Sequence, residues 1–200
     1  MSKKPIIRYH IGIDEVGRGP LAGPVTVCAF AMLEQDLHYL NDVGAKDSKQ
    51  LSEQKREAVA AKLEELRGAG RCVYQIASTS AHVIDRKGIV KAVHMAIASA
   101  LKRLNIHPEH AQVYLDGGLR APKSFFHQHT IIKGDASVPV IACASCIAKV
   151  HRDRMMDDYD LEFPQYGFYQ HKGYGTPDHY KALRKHGPSE LHRKSFLRGI

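Results

Sequence analysis

The sequence predicts an α/β fold, a mixed β-sheet covered by helices and built as one domain. Three observations carry that prediction. Two apolar, β-like runs follow one another near the N-terminus, separated by a Gly- and Pro-rich turn, which is the pattern of a hairpin. Beyond them, short apolar runs alternate with segments of helical periodicity, so helices should lie between strands and against the sheet. A chain of 200 residues with 44% hydrophobic content is long enough for one substantial core.

The first run, Ile6 to Ile13, ends on the adjacent acids Asp14 and Glu15, and the second spans Val25 to Met32. Leu33 to Leu51 reads as polar and irregular. Ser52, with Gln54 and Lys55 behind it, starts a helix; Val59, Leu63 and Leu66 recur at near-helical spacing, and Gly68 and Gly70 end it. Cys72 to Ala77 is a third strand. Ser78-Thr-Ser80 leads into a helical turn near Ala81–Asp85. A longer helix, Gly88 to Leu104, carries Ile89, Val90, Val93, Met95, Ala96 and Leu101 on its apolar side.

Ala111 to Asp116 is a strand ending in an acid before Gly117-Gly118. Thr130 to Lys133 is another, followed by Gly134-Asp135. Pro139 to about Asp158 reads as a buried helix that becomes charged towards its end. Phe163 to Thr176 reads as an exposed aromatic, Gly-rich loop. Pro177 opens the last helix and Gly187 caps it. The core is placed at about 6–160, with a helical and basic extension at about 161–200 and no linker or repeat.

A formal charge of +8 and a pI near 9.3 imply an anionic partner, nucleic acid first. No apolar run approaches the roughly 18 residues that cross a bilayer. Met1-Ser-Lys-Lys-Pro5 lacks the apolar stretch of a signal peptide, so the expectation is a cytoplasmic protein with no membrane partner. Cys28, Cys72, Cys143 and Cys146 fit a reducing compartment. Cys143-Ala-Ser-Cys146 has redox or zinc spacing, but no second pair completes a four-thiolate site, and its small apolar neighbours favour buried packing.

Three apolar runs end in the same way, at Asp14-Glu15, at Asp116 and at Asp135. Acids at the ends of neighbouring strands can meet although they are far apart in sequence. Four acids held close cannot all stay ionised without raised pKa values or a cation. Oxygen-only ligands favour Mg²⁺ or Mn²⁺ over zinc. Two such ions about 3.5–4 Å apart could activate a water and stabilise the leaving oxygen of a phosphodiester. Beside the first acids, Gly17 and Gly19 would let backbone N–H groups approach a ligand, and Arg18 offers a fork for phosphate. A dinucleotide fingerprint is excluded, because its glycines should open a helix and here Pro24 and a β-branched run follow. Asp153 and Asp157 are rival ligands at helical i, i+4 spacing, but Arg152 and Arg154 interleave with them, which favours a solvated, ion-paired helix end.

Phe163-Pro-Gln-Tyr-Gly-Phe-Tyr-Gln-His-Lys-Gly-Tyr-Gly-Thr176 mixes aromatics, glycines and cations. Aromatic faces can stack on sugars or bases, and Lys172 can neutralise phosphate, while Phe163 and Phe168 fit ordinary packing. His186, His192 and the other C-terminal histidines match no standard zinc spacing and read as surface or nucleic-acid contacts.

Asp14-Glu-Val-Gly-Arg-Gly-Pro-Leu-Ala-Gly-Pro24 closely resembles the signature of the type 2 ribonuclease H family, in particular bacterial ribonuclease HII. The resemblance extends through Lys46-Asp-Ser-Lys-Gln-Leu51, the long segment Lys133 to Asp153, His171-Lys-Gly-Tyr174 and His192-Arg-Lys-Ser-Phe196. It implies a ribonuclease H-like fold and a catalytic, metal-binding set of Asp14, Glu15, Asp116 and Asp135 with Mg²⁺ or Mn²⁺. It further implies that Gly17, Arg18 and Gly19 bind a ribonucleotide 2′-hydroxyl, that Tyr174 senses the junction with the following deoxyribonucleotide, and that Lys49 contacts phosphate. The C-terminal basic element would then act on phosphate electrostatically. One departure is Ala142-Cys-Ala-Ser145 where Ser-Ala-Ala-Ser is usual, which puts a polar contact from position 142 in doubt.

The implied activity is cleavage 5′ of ribonucleotides embedded in duplex DNA and of RNA in RNA/DNA hybrids, by a monomer, with 3′-hydroxyl and 5′-phosphate products. The sister enzyme ribonuclease HIII carries an additional N-terminal domain, and Asp14 lies too near the start of this sequence for one to precede it. A non-catalytic nucleic-acid-binding module would share the charge and the aromatic loop, but would have no use for convergent acids.

Overall fold

The computed structural model describes residues 8–45 and 51–197. β1 (Tyr9–Val16) and β2 (Val25–Leu33) form the expected hairpin, paired antiparallel from Tyr9↔Leu33 to Val16↔Thr26. β3 (Cys72–Thr79) extends it antiparallel to β2. On the other side of β1, β4 (Ala111–Asp116) and β5 (Gln128–Ile131) add parallel strands, giving the mixed order β3-β2-β1-β4-β5. β1 is therefore central, with antiparallel pairing on one edge and parallel pairing on the other.

The two-residue period of the strands sorts their side chains between two helical layers. Ile11, Ile13, Val27, Ala29, Val113 and Leu115 pack with α3 (Ile89–Leu104). Cys28, Phe30, Met32 and Tyr114 pack with α1 (Glu53–Gly68) and with α5 (Pro139–Glu162), the long helix that follows the short α4 (Gly134–Ser137). α1 begins where the sequence indicates, with Ser52 Oγ accepting from Lys55 N at 3.4 Å. α2 (Ala81–Lys87) fills the predicted short turn. All four cysteines are buried and unbridged in the α1–α5 layer, and burial raises every one of their thiols, that of Cys146 to about 12. The packing reading of Cys143 and Cys146 agrees with this.

Gly12 explains why α5 lies so close to β1. A Cβ there would sit 2.0 Å from the carbonyl oxygen of Val140, so a larger residue would push the helix off the strand. That contact brings the middle of α5 over the acidic end of β1.

Several expectations need correction. Glu34–Asp42 is a 3₁₀ helix rather than irregular chain, with Asp36 buried against Arg71 at 3.3 Å. The apolar face of α3 is the expected one at Ile89, Val93, Ala96 and Leu101 and differs at two positions. Val90 and Met95 are exposed, while Ala92, Ala96, Ile97 and Ala100 meet the sheet, because small side chains allow the closest approach. The strand expected at Thr130–Lys133 is Gln128–Ile131; Ile132 faces solvent and Lys133 turns left-handed at φ 54°. α5 runs on to Glu162. The segment expected as an exposed loop contains a 3₁₀ turn at Pro164–Tyr166 and a short helix, and Tyr166, Phe168 and His171 are buried. Tyr166 and Phe168, the latter in line with its packing reading, form a third cluster with Leu21, Met156 and Leu183, the last from the helix Pro177–His186. Among the described residues, no helix is long and apolar enough to cross a membrane.

Candidate active site

Asp14, within β1, and Asp116, the last residue of β4, come directly after the final parallel pair, Ile13↔Leu115, so the two acids emerge side by side. Carboxyl ends of parallel strands are where open α/β sheets place their ligands. The left-handed turn at Lys133 folds the chain back, and the Gly134 N–H donates to Asp116 Oδ1 at 2.7 Å. Asp135, in the four-residue helix that follows, is thereby brought in from a third segment. Oxygens of Asp14, Asp116 and Asp135 all lie within 4.8 Å of one another, and Asp14 and Asp135 are buried. An all-carboxylate, oxygen-only group at this spacing fits a hard divalent cation.

Electrostatics point the same way. Burial pushes the Asp14 carboxyl up to about 8, and the charges of Glu15 and Asp116 add to the rise. A hydrogen bond from Ser145 and one from the Glu15 N–H, at 2.8 Å, oppose it. Glu15 is also raised, chiefly by burial. It stands beside the close group of three, accepting from Arg18 Nη1 at 3.2 Å.

A cavity of about 390 Å³ opens over Asp14, Glu15 and Asp116, its lining completed by Val16, Gly17, Arg18, Gly19, Arg56, Ser145, Lys149 and Tyr174. The sequence-predicted loop residues and Tyr174 are thus brought to the acids. Gly17 has φ +87°, and a Cβ there would lie 2.3 Å from Arg152 Nε, so only glycine suits the position. Tyr174 is half-exposed.

Other predicted residues are placed differently. Lys172 is mostly buried, its ammonium paired with Asp157 and set 4.6 Å from the Tyr169 ring centroid, so it is not a free cation facing the acids. Lys49 lies outside the described residues. The rival Asp153 is buried and paired with Lys149 at 2.6 Å and Arg56 at 3.9 Å. The expectation of ion pairing is met, but the partners are not the interleaved arginines and the pair is not solvated. Arg154 pairs with Glu57, and Arg152 turns into the core. His192 is buried instead of on the surface, and so is Arg193, which removes both from contact with phosphate. Ala142 packs in the apolar α1–α5 layer, so the departure at that position leaves the acids untouched.

Ser145, Lys149 and Arg56 were not among the predicted site residues. Ser145, Lys149 and Asp153 stand one turn apart on one face of α5, and that spacing was the available signal. Arg56 had none, since it reaches the cavity from a separate helix.

A family model described as Ribonuclease HII matches residues 11–199. The chain belongs to the ribonuclease HII family. A relative named Ribonuclease HII from Lachnoclostridium phytofermentans is 45% identical over 98% of this chain and 73% of its own length. Another, from Caldicellulosiruptor bescii, is 42% identical over 96% of this chain and 88% of its own. Among solved structures, the PCNA:RNase HII complex from Archaeoglobus fulgidus is similar at TM-score 0.76 and 25% identity, over 96% of this chain and 95% of that one. The Bst-RNase HIII structure in complex with Mn²⁺ shares the fold at TM-score 0.72 and 18% identity, over 97% of this chain and 68% of that one. The ribonuclease H-like fold expected from the ribonuclease HII motifs is the fold observed.

Proposed function

We propose that this protein hydrolyses the phosphodiester on the 5′ side of ribonucleotides embedded in duplex DNA, and the RNA strand of RNA/DNA hybrids, leaving 3′-hydroxyl and 5′-phosphate ends. Its role would be the removal of ribonucleotides misincorporated into DNA, carried out by a monomer in the cytoplasm. One observation carries the reading: Asp14, Asp116 and Asp135 converge within 4.8 Å of one another, and Asp14 and Asp116 line a cavity together with Gly17, Arg18, Gly19 and Tyr174.

Asp14, Asp116 and Asp135, with Glu15 beside them, are assigned as the catalytic acids that hold Mg²⁺ or Mn²⁺. Bound there, a pair of such ions would neutralise the acids, activate a water and stabilise the leaving oxygen. The chain's own groups orient the ligands: Ser145 bonds Asp14, and the Gly134 N–H fixes Asp116. Backbone at Gly17 and Gly19 is close enough to the acids to read a 2′-hydroxyl, the group that separates RNA from DNA. Arg18, half-exposed, can leave Glu15 for a phosphate. The Tyr174 ring is assigned the following deoxyribose. Lys49 keeps its phosphate role on the resemblance alone, whereas Lys172, tethered to Asp157, is assigned to holding the loop of Tyr174.

The deciding experiment is incubation with a labelled duplex carrying one ribonucleotide, with Mg²⁺ or Mn²⁺ and then with chelator. Chelator-sensitive cleavage 5′ of the ribonucleotide is the expected result. Binding without cleavage under either ion would favour a non-catalytic binding module.

A further inference from the structure

Arg152 and Arg193 have no exposed surface. Arginine carries a permanent charge and is almost never fully buried unless that charge is met, so two buried guanidiniums call for an explanation. Their hydrogen bonds go to backbone carbonyls of the turn between β1 and β2. Arg193 donates from Nε to Gly23 O at 3.0 Å, from Nη1 to Arg18 O at 2.9 Å, and from Nη2 to Gly17 O at 2.6 Å and Gly23 O at 2.9 Å. Arg152 donates from Nε to Pro24 O at 3.0 Å and from Nη2 to Ala22 O at 3.2 Å. Its Nη1 reaches the other loop, at Lys172 O, 2.9 Å away.

This arrangement does two things to the cavity. In a trans peptide the carbonyl and the following N–H point in opposite directions. Drawing Gly17 O and Arg18 O onto Arg193 therefore turns the N–H groups of Arg18 and Gly19 away from that guanidinium. The second effect concerns spacing. Arg152 spans the glycine turn and the residue two before Tyr174, and the Leu21 N–H bonds Gly173 O at 2.8 Å beside it. The two loops are locked at one separation.

We infer that Arg193 and Arg152 are positioning residues for substrate selection, fixing the Gly17–Arg18–Gly19 backbone and its distance from Tyr174 so that a ribonucleotide and its neighbouring deoxyribonucleotide are read together. The inference rests on the reading of this cavity given under Proposed function. A simple packing role would be served better by apolar side chains, since buried charges can often be replaced by hydrophobic residues without loss. Burial and the charge of Arg152 both push the Arg193 guanidinium down, the direction expected of an unfavourable placement. The planar fork is what the site uses: lysine has the charge but cannot hold three carbonyls in fixed directions.

The test compares Arg193→Lys and Arg152→Lys with the parent protein and with Tyr174→Ala. Each is assayed for kcat and KM on a single-ribonucleotide duplex and on a continuous RNA/DNA hybrid, with folding checked by circular dichroism and thermal melting. Misplacement by about 1 Å can cost up to about 100-fold in rate. The expected result is that a folded lysine variant loses at least about tenfold more kcat on the single ribonucleotide than on the hybrid, the same direction of split as Tyr174→Ala. Equal losses on both substrates, or the parent ratio in both folded variants, would overturn the inference alone while Tyr174→Ala still splits them. If Tyr174→Ala leaves the ratio unchanged, the cavity reading fails and the inference falls with it. If neither lysine variant folds, the guanidiniums serve the fold and not selection, which also overturns it.

Discussion

His192 Nε2 lies 3.0 Å from His179 Nε2, both rings buried behind the loop of Tyr174. The surrounding bonds fix every proton. The Ser189 N–H donates to His192 Nδ1 at 3.0 Å, so the His192 proton is on Nε2 and is given to His179. His179 must then carry its own proton on Nδ1, which bonds Tyr174 O at 2.8 Å. His171 stacks on His179 at 4.3 Å, with Phe168 and Tyr166 closing the cluster. This chain works only with neutral rings.

Acid should therefore loosen the C-terminal extension. Burial, then the neighbouring His179, pushes His192 down to about 4, and burial lowers His179 as well. Between about 4 and the ordinary histidine value the unfolded chain binds more protons than the native one, so stability is lost as pH falls through that window. Melting temperature, measured in an Asp14→Asn background to remove the opposing carboxyl, should fall from pH 7 to pH 4.5. His192→Gln should flatten that dependence. An unchanged slope in His192→Gln would show that the histidine chain does not control acid stability.

Asp14 predicts the opposite sign. Its carboxyl is raised to about 8, so the metal-free native protein holds a proton that the unfolded chain releases near the usual carboxylate range. Stability of the metal-free protein should decline as pH rises from about 4 towards 8. A divalent ion must displace that proton, so its affinity should climb over the same window and level off above it. Calorimetric titration with Mg²⁺ or Mn²⁺ in buffers of different ionisation enthalpy would count the proton released at pH 7. Release of none would contradict the raised carboxyl.

The three acids should be separable from their near neighbour. Asp116→Asn and Asp135→Asn should abolish cleavage and leave the fold intact, since each removes a charge from the close group. Asp153→Asn should retain cleavage and lose stability, because it leaves Lys149 and Arg56 without their carboxylate; breaking a buried pair costs about 3–5 kcal/mol. Cleavage by Asp135→Asn at saturating Mg²⁺ would remove Asp135 from the assignment.

What could be seen in the sequence divides along a physical line. The closeness of Asp14 and Asp116 was legible because an acid closing an apolar run is costly wherever it occurs, and such positions on neighbouring strands of one sheet converge. Asp135 was legible chiefly through its motif, since its approach depends on a left-handed lysine that no periodicity signals. His192 and Arg193 were misread as surface groups. Polar side chains are buried only where the fold supplies partners. Those of Arg193, the carbonyls of Gly17, Arg18 and Gly23, lie at the other end of the chain, and the partners of His192, which are His179 and Ser189, meet it only once the extension has folded back. Truncation after Gly187 should consequently lower the melting temperature and collapse activity, where a phosphate-binding tail would have changed mainly the salt dependence.

Tyr174 bears on how the substrate is read. Its backbone is fixed by His179, the neighbouring Gly173 O bonds the glycine turn, and its half-exposed ring edges the cavity that holds Gly17 and Gly19. On the proposed reading, a ribonucleotide held at those glycines would set one adjacent phosphate over the acids, and the next sugar would meet the ring. A deoxyribose would then fit there better than a ribose with its additional hydroxyl. Stacking of this kind is worth about 1–3 kcal/mol, or roughly one to two decades. Tyr174→Ala should depress cleavage of a single-ribonucleotide duplex by about that factor and cleavage of a continuous hybrid by less. Tyr174→Phe should be milder, because the ring remains. Competition between the two substrates in one reaction measures the ratio directly, and an equal loss on both would mean that Tyr174 supports the strand without sensing the junction.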